Sequence, residues 1–118
     1  MTGDMGGSYI LVQDNILINP GQYGITIASG HHITIKNNKI YSKKLPFSNV
    51  GLSAYRQYPI DTYANTISDN EVNFTNKDGV LNNMWNAGNA GDVLGWDTNK
   101  YNQSIATSKR IDCICQKF

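Results

Sequence analysis

The sequence predicts an all-β solenoid, a chain wound into stacked coils of short parallel strands. Three observations lead there: a strand–turn–strand pattern that recurs three times, a second Gly-led apolar pattern between its copies, and a composition poor in helical signals. Asparagine recurs through the chain, and with the glycines it favours turns over helix. Short Ile/Val/Leu runs with two-residue alternation lie between these turn formers and read as strands. No segment carries a 3.6-residue apolar stripe.

The first pattern runs from Ile10 to Ile18, from Ile33 to Tyr41 and from Asn65 to Asn73. Val12, Ile35 and Ile67 fall in one apolar column, and Leu17, Ile40 and Val72 in another. Between them Asp14, Asn37 and Asp69 align, each followed by an asparagine, Asn15, Asn38 and Asn70. The second pattern is Tyr23 to Ile27, Val50 to Ala54 and Asp78 to Asn82. It aligns Gly24 with Gly51 and Gly79, and Ile25 with Leu52 and Val80. Each repeat of roughly 23 to 32 residues then holds three short strands, a solenoid period. One coil cannot bury its apolar face alone, so coils stack and equivalent strands pair at about 4.8 Å. Stacking places like residues over one another. Apolar columns fill the core, and Asn15, Asn38 and Asn70 form a structural ladder whose side-chain amides bond from coil to coil.

Coils are expected over residues 1–107, about three to four of them, with long loops at 43–49, 55–64 and 84–101. Residues 108–118 carry no repeat and read as a tail or cap. Three coils are near the minimum for a solenoid and leave strand edges at both ends, so self-association is expected.

The 118 residues suit one domain with a modest core. The net charge is +1, and the densest basic stretches are the pairs Lys43-Lys44 and Lys109-Arg110. This excludes the clustered Lys and Arg of a nucleic-acid footprint. No apolar run approaches the ~20 residues that span a bilayer, and Met1 to Ser8 lack the pattern of a signal peptide. Cys113 and Cys115 are a poor zinc pair without further ligands nearby, and their spacing disfavours a mutual disulfide. Asp14, Asp69 and Asp78 are single carboxylates without calcium-loop spacing. No metal and no cofactor is expected.

The Gly-(Ile/Leu/Val) strand starts and the Thr-Ile-x-Asx-Asn turns, from about Tyr9 to Asn83, resemble the pectate-lyase-like superfamily of right-handed parallel β-helices. The resemblance implies that fold. It also implies a carbohydrate-associated module, extracellular, at the cell surface or on a virion, whose partner is a polysaccharide, acidic or neutral. In such proteins the strand after Gly lines a glycan groove. Here its outward rows are expected to be Thr26, Ser53, Leu81 and Ala28, Tyr55, Asn83, with no charged or imidazole side chain. A hydrolase needs paired carboxylates and a lyase needs a base, so a lyase or hydrolase site is expected to be incomplete in this chain. The alternative is a non-catalytic structural or glycan-binding module, such as a tailspike or adhesin segment.

The loops carry the remaining chemistry. His31, His32, Tyr55, Arg56, Tyr58, Asp61 and Trp85 follow the same strand in successive coils, and stacking is expected to bring them to one edge as a ligand-binding cluster. A guanidinium suits a sugar carboxylate, aromatic faces suit a pyranose ring, and a histidine beside a carboxylate suits proton transfer. Structural readings stand beside each: an Arg56–Asp61 ion pair, polar turn filling by the histidines, loop packing by the tyrosines, and end capping by Trp85 and Trp96.

Overall fold

A computed structural model describes residues 7–57 and 61–101. The expected site residue Tyr58, the cysteines and the 108–118 segment lie outside these. Eleven strands are present among the described residues: β1 (Leu11–Gln13), β2 (Ile16–Ile18), β3 (Tyr23–Ala28), β4 (Thr34–Lys36), β5 (Lys39–Lys43), β6 (Val50–Tyr55), β7 (Asn65–Ser68), β8 (Glu71–Thr75), β9 (Met84–Asn86), β10 (Val93–Leu94) and β11 (Lys100–Tyr101). They form three sheets, β1-β4-β7-β10, β2-β5-β8-β11 and β3-β6-β9, and every strand pair is parallel. The chain visits the sheets in the same order on each circuit. Among the described residues three circuits are complete, and β10 and β11 begin the next. This is a parallel β-helix.

The register follows the apolar columns. Val12 pairs with Ile35 and Ile35 with Ile67; Leu17 pairs with Ile40 and Ile40 with Val72; Ile25 pairs with Leu52. These columns meet in one core of Ile25, Ile27, Ile33, Ile35, Ile40, Leu52, Ala54, Ile67, Val72, Phe74 and Ala90. Phe74 is its largest fully buried side chain, and such burial contributes about 1.5–3 kcal/mol. Glycine keeps the coils close where the third sheet meets the core. A Cβ on Gly24 would collide with the Gly51 carbonyl and with Ile40 Cγ2, and one on Gly51 would lie 2.6 Å from Val72 Cγ1.

The third copy of the Gly-led pattern takes a different register from the expected one. Met84, not Val80, pairs with Leu52, and Trp85, not Leu81, pairs with Ser53. The stretch from Asn76 to Leu81 instead forms a turn held by local bonds. Asn76 Oδ1 accepts from the Asp78 and Val80 amides, both at 3.0 Å, and Gly79 takes φ 79°. Val80 and Leu81 are exposed. An Asp-Gly pair serves a turn as readily as a strand start, which is why Asp78-Gly79 misleads. The same shift makes β9, β10, β11 and a 3₁₀ turn (Trp96–Thr98) out of the 84–101 stretch expected as a loop.

Among the described residues the asparagine ladder has four rungs, Asn99 joining Asn15, Asn38 and Asn70. Asn15 Nδ2 donates to Asn38 Oδ1 at 3.0 Å, Asn38 Nδ2 to Asn70 Oδ1 at 3.0 Å, and Asn70 Nδ2 to Asn99 Oδ1 at 2.7 Å. Each acceptor also takes the backbone N–H of the preceding rung. The second amide proton of Asn38 goes to Val12 O and that of Asn70 to Ile35 O. The inner rungs are fully buried and fully bonded, as burial of a primary amide requires.

Candidate functional site

The corner between β3 and β4 carries the most concentrated chemistry. Residue 31 sits in a backbone stack with Ser8 and Tyr63 through parallel bridges. The next residue of each coil, Tyr9, His32 and Ala64, turns through the left-handed region at φ 54°, 55° and 53°. That conformation costs about 1–2 kcal/mol for a residue with a Cβ, and here stacked backbone bonds hold it. Tyr9 N–H donates to His31 O at 3.2 Å, and His32 N–H to Tyr63 O at 3.3 Å. Consecutive side chains that an extended strand would point apart are thereby turned toward one another.

Four rings pack at this corner. Tyr9 stacks on His32 at 4.7 Å and 13°, and His31 stacks on Tyr63 at 4.8 Å and 8°. The cross pairs are edge-to-face: His31–His32 at 5.1 Å, Tyr9–His31 at 5.6 Å and His32–Tyr63 at 5.5 Å. Such pairs contribute about 0.5–1.5 kcal/mol each beyond burial, although Tyr9 and Tyr63 remain exposed. The Nδ1 atoms of His31 and His32 lie 2.8 Å apart. As a hydrogen bond this contact needs one Nδ1 protonated and the other not. As a chelate it presents two lone pairs to one cation.

The edge expected from the sequence divides into two groups. His31 and His32 join Tyr9 and Tyr63. Tyr55, at the end of β6, meets Trp85 in β9, their rings 5.6 Å apart and tilted by 41°. Arg56 follows β6, exposed, with its N–H on Asn89 Oδ1 at 2.9 Å; Asp61 is exposed in the segment leading to Tyr63. The sequence reading missed Tyr9 as a member. The signal was present, because extending the aligned repeat two residues upstream puts Ser8-Tyr9, His31-His32 and Tyr63-Ala64 in the same columns.

A second concavity of about 370 Å³ lies at the start of β3 and β6, lined by Tyr23, Asn49, Val50, Asn82 and Trp85. Asn82 Nδ2 donates to Asn49 O at 2.8 Å, which braces the two loops that carry them. The neighbouring outward row is Thr26, Ser53 and Trp85 by register. Thr26 and Ser53 are buried, their hydroxyls 2.6 Å apart. No carboxylate, imidazole or cation stands in this row or among the residues lining the cleft.

Among the described residues no group of three or more His, Cys, Asp and Glu side chains gathers as a metal cage. Among the described residues the His31–His32 corner offers two imidazole nitrogens from these residue types. No curated protein and no solved structure matches the chain. A family model described as periplasmic copper-binding protein (NosD) matches residues 5–102. That span contains the ladder, the histidine corner and the aromatic cleft, and with it the chain belongs to the NosD family of parallel β-helix proteins.

Proposed function

We propose that this chain is an envelope β-helix module that binds copper through the Nδ1 atoms of His31 and His32. The observation that carries the reading is their 2.8 Å separation. At metal–nitrogen bonds of ~2.0 Å, two nitrogens so placed subtend about 90°, the angle between neighbouring ligands of a tetragonal Cu(II) site. The family description supports the choice of metal, and so does the order of divalent affinities, in which Cu²⁺ leads at nitrogen sites. A tyrosine face stacks on each ring, Tyr9 on His32 and Tyr63 on His31. The sequence alone assigns no metal ligand here, because adjacency of two histidines says nothing about where their Nδ1 atoms meet. Both imidazoles must be deprotonated at Nδ1 to bind a metal. Titration with Cu²⁺ under electron paramagnetic resonance tests this. The parent should show hyperfine coupling to two nitrogens, and His31→Ala and His32→Ala should each remove it. Unchanged spectra in the double variant would move the copper elsewhere and end the proposal.

A second reading, glycan binding without catalysis, rests on the Tyr23–Trp85 cleft. Its 370 Å³ is of sugar-ligand size. Two aromatic faces beside two amides suit a sugar ring, and the lack of paired carboxylates there favours binding over cleavage. Binding of a panel of neutral and acidic oligosaccharides should weaken at least tenfold in Trp85→Ala. No binding by the parent chain would leave the copper reading alone.

A further inference from the structure

The corner between the second and third sheets carries an amphipathic patch, and we propose that the protein docks there on an anionic phospholipid surface. Two loops build the patch, 44–49 after β5 and 76–82 after β8. Three large apolar side chains stand on them, Phe47, Val80 and Leu81, each at least half exposed. One such side chain is ordinary on a surface, whereas several on adjoining loops mark an interaction site. The loops are braced to their neighbours and to each other. Lys44 N–H donates to Thr75 O at 3.2 Å, Lys77 N–H to Ser48 O at 2.9 Å, and Asn82 Nδ2 to Asn49 O at 2.8 Å. The apolar side chains are therefore presented by a preformed surface, which lowers the ordering cost of docking.

The charge around the patch selects the occupant. Lys43, Lys44 and Lys77 are exposed here, and Asp78 is the one carboxylate in residues 43–49 and 75–82. Cations therefore outnumber anions at this corner, in a chain whose net charge is +1. Lys43 pairs with Thr75, and Thr75 bridges to Leu81, so a lysine and a leucine flank the end of β8. The Lys44 stem lies over the Gly79 turn: a Cβ on Gly79 would stand 3.6 Å from its Cδ and Cε and 3.7 Å from its Nζ. A concavity of about 400 Å³ beside Phe47 is lined by Gln22, Pro46, Phe47, Ser48, Asn49 and Lys77. Its ammonium and two primary amides are donors for a phosphodiester, and no carboxylate lines it. A bilayer surface answers both halves of the patch. Phe47, Val80 and Leu81 enter the acyl boundary, while the lysine stems lie along it and keep their ammonium groups among anionic headgroups.

Co-sedimentation of the full chain with lipid vesicles tests this. One set is phosphatidylcholine alone, and the other is about one-third phosphatidylglycerol. The parent should bind the anionic set about tenfold more tightly or better, and added salt should weaken that binding. Lys44→Glu combined with Lys77→Glu should weaken it about tenfold or more. Phe47→Ser combined with Leu81→Ser should weaken it about as much, although no charge changes. Lys36→Glu, on the first sheet, controls for net charge and should stay within about twofold of the parent. Unchanged far-ultraviolet circular dichroism and melting temperature verify that each variant folds. A parent that binds neither set overturns the proposal and leaves the patch to a protein partner. Equal binding to both sets overturns it too, as does full binding by the Phe47/Leu81 variant. A loss in Lys36→Glu as large as in the paired lysine variant would show adsorption by overall charge, and would also overturn it.

Discussion

Asn38 joins three coils through one side chain. It accepts the Asn15 backbone N–H and Nδ2, donates to Asn70 Oδ1 and donates to Val12 O, all with no solvent contact. Each buried group left unsatisfied costs about 1–3 kcal/mol, so Asn38→Ala should lower the unfolding free energy by about 3–5 kcal/mol in urea titrations. Asn15 is half-buried and gives up no acceptor that another residue needs. Asn15→Ala should cost about 1 kcal/mol, as one ordinary hydrogen bond does. The three ladder positions preceded by Asp14, Asn37 and Asp69 were legible in the sequence, because Asx residues tolerate the left-handed turn before each rung. Asn99 was not, since a 3₁₀ turn ending at Thr98 replaces the Asx there. The histidine corner was half legible. His31 and His32 stood out by type, but their contact depends on a positive φ at His32 that no propensity of histidine announces.

At the scale of elements, the seam between β8 and β9 decides the register of the third coil. The sequence aligned Gly79-Val80 with Gly24-Ile25 and Gly51-Leu52, and local bonds of Asn76 overrode that likeness. The consequence is measurable with one pair of substitutions. Val80→Lys should change stability by no more than about 0.5 kcal/mol, as surface changes do. Met84→Lys places a charge against the core cluster that Met84 packs on and should cost several kcal/mol. The opposite ranking would restore the alignment read from the sequence. Among the described residues the expected ligand edge divides into two groups. Tyr55 ends a strand and continues the outer row of the third sheet, whereas His31 and His32 stand at the corner beyond it, so sharing a position after the strand did not place them side by side.

Across the whole molecule, each coil touches only its neighbours, and stability should fall from the middle toward the ends. Strands β4 to β8 bury their apolar residues on both sides, while Leu11, Ile16 and Leu94 lie open. Hydrogen exchange should therefore protect amides of β5, β6 and β7 most strongly, with β1, β2 and β10 exchanging several orders of magnitude faster in dilute solution. Uniform protection would mean that both ends are covered. All-β architecture and parallel stacking were legible because apolar columns repeat at every coil. Where the repeat loosens, after Asn83, one-residue choices of register are settled by packing against the coil below, which the sequence does not display.

The ladder also fixes a scale along the molecule. Successive rungs are 23, 32 and 29 residues apart in the chain, yet every rung-to-rung bond spans the same short gap. Contour length and height are decoupled: one circuit is always one graduation, however much chain hangs outside it. The surplus is let out at residues 44–49, 56–57, 61–62 and 76–82, which lie off the stacked sheets. Segments grafted at these places would change what the molecule displays at a given height without moving any mark on the rule, and two grafts on successive coils would stand one strand spacing apart.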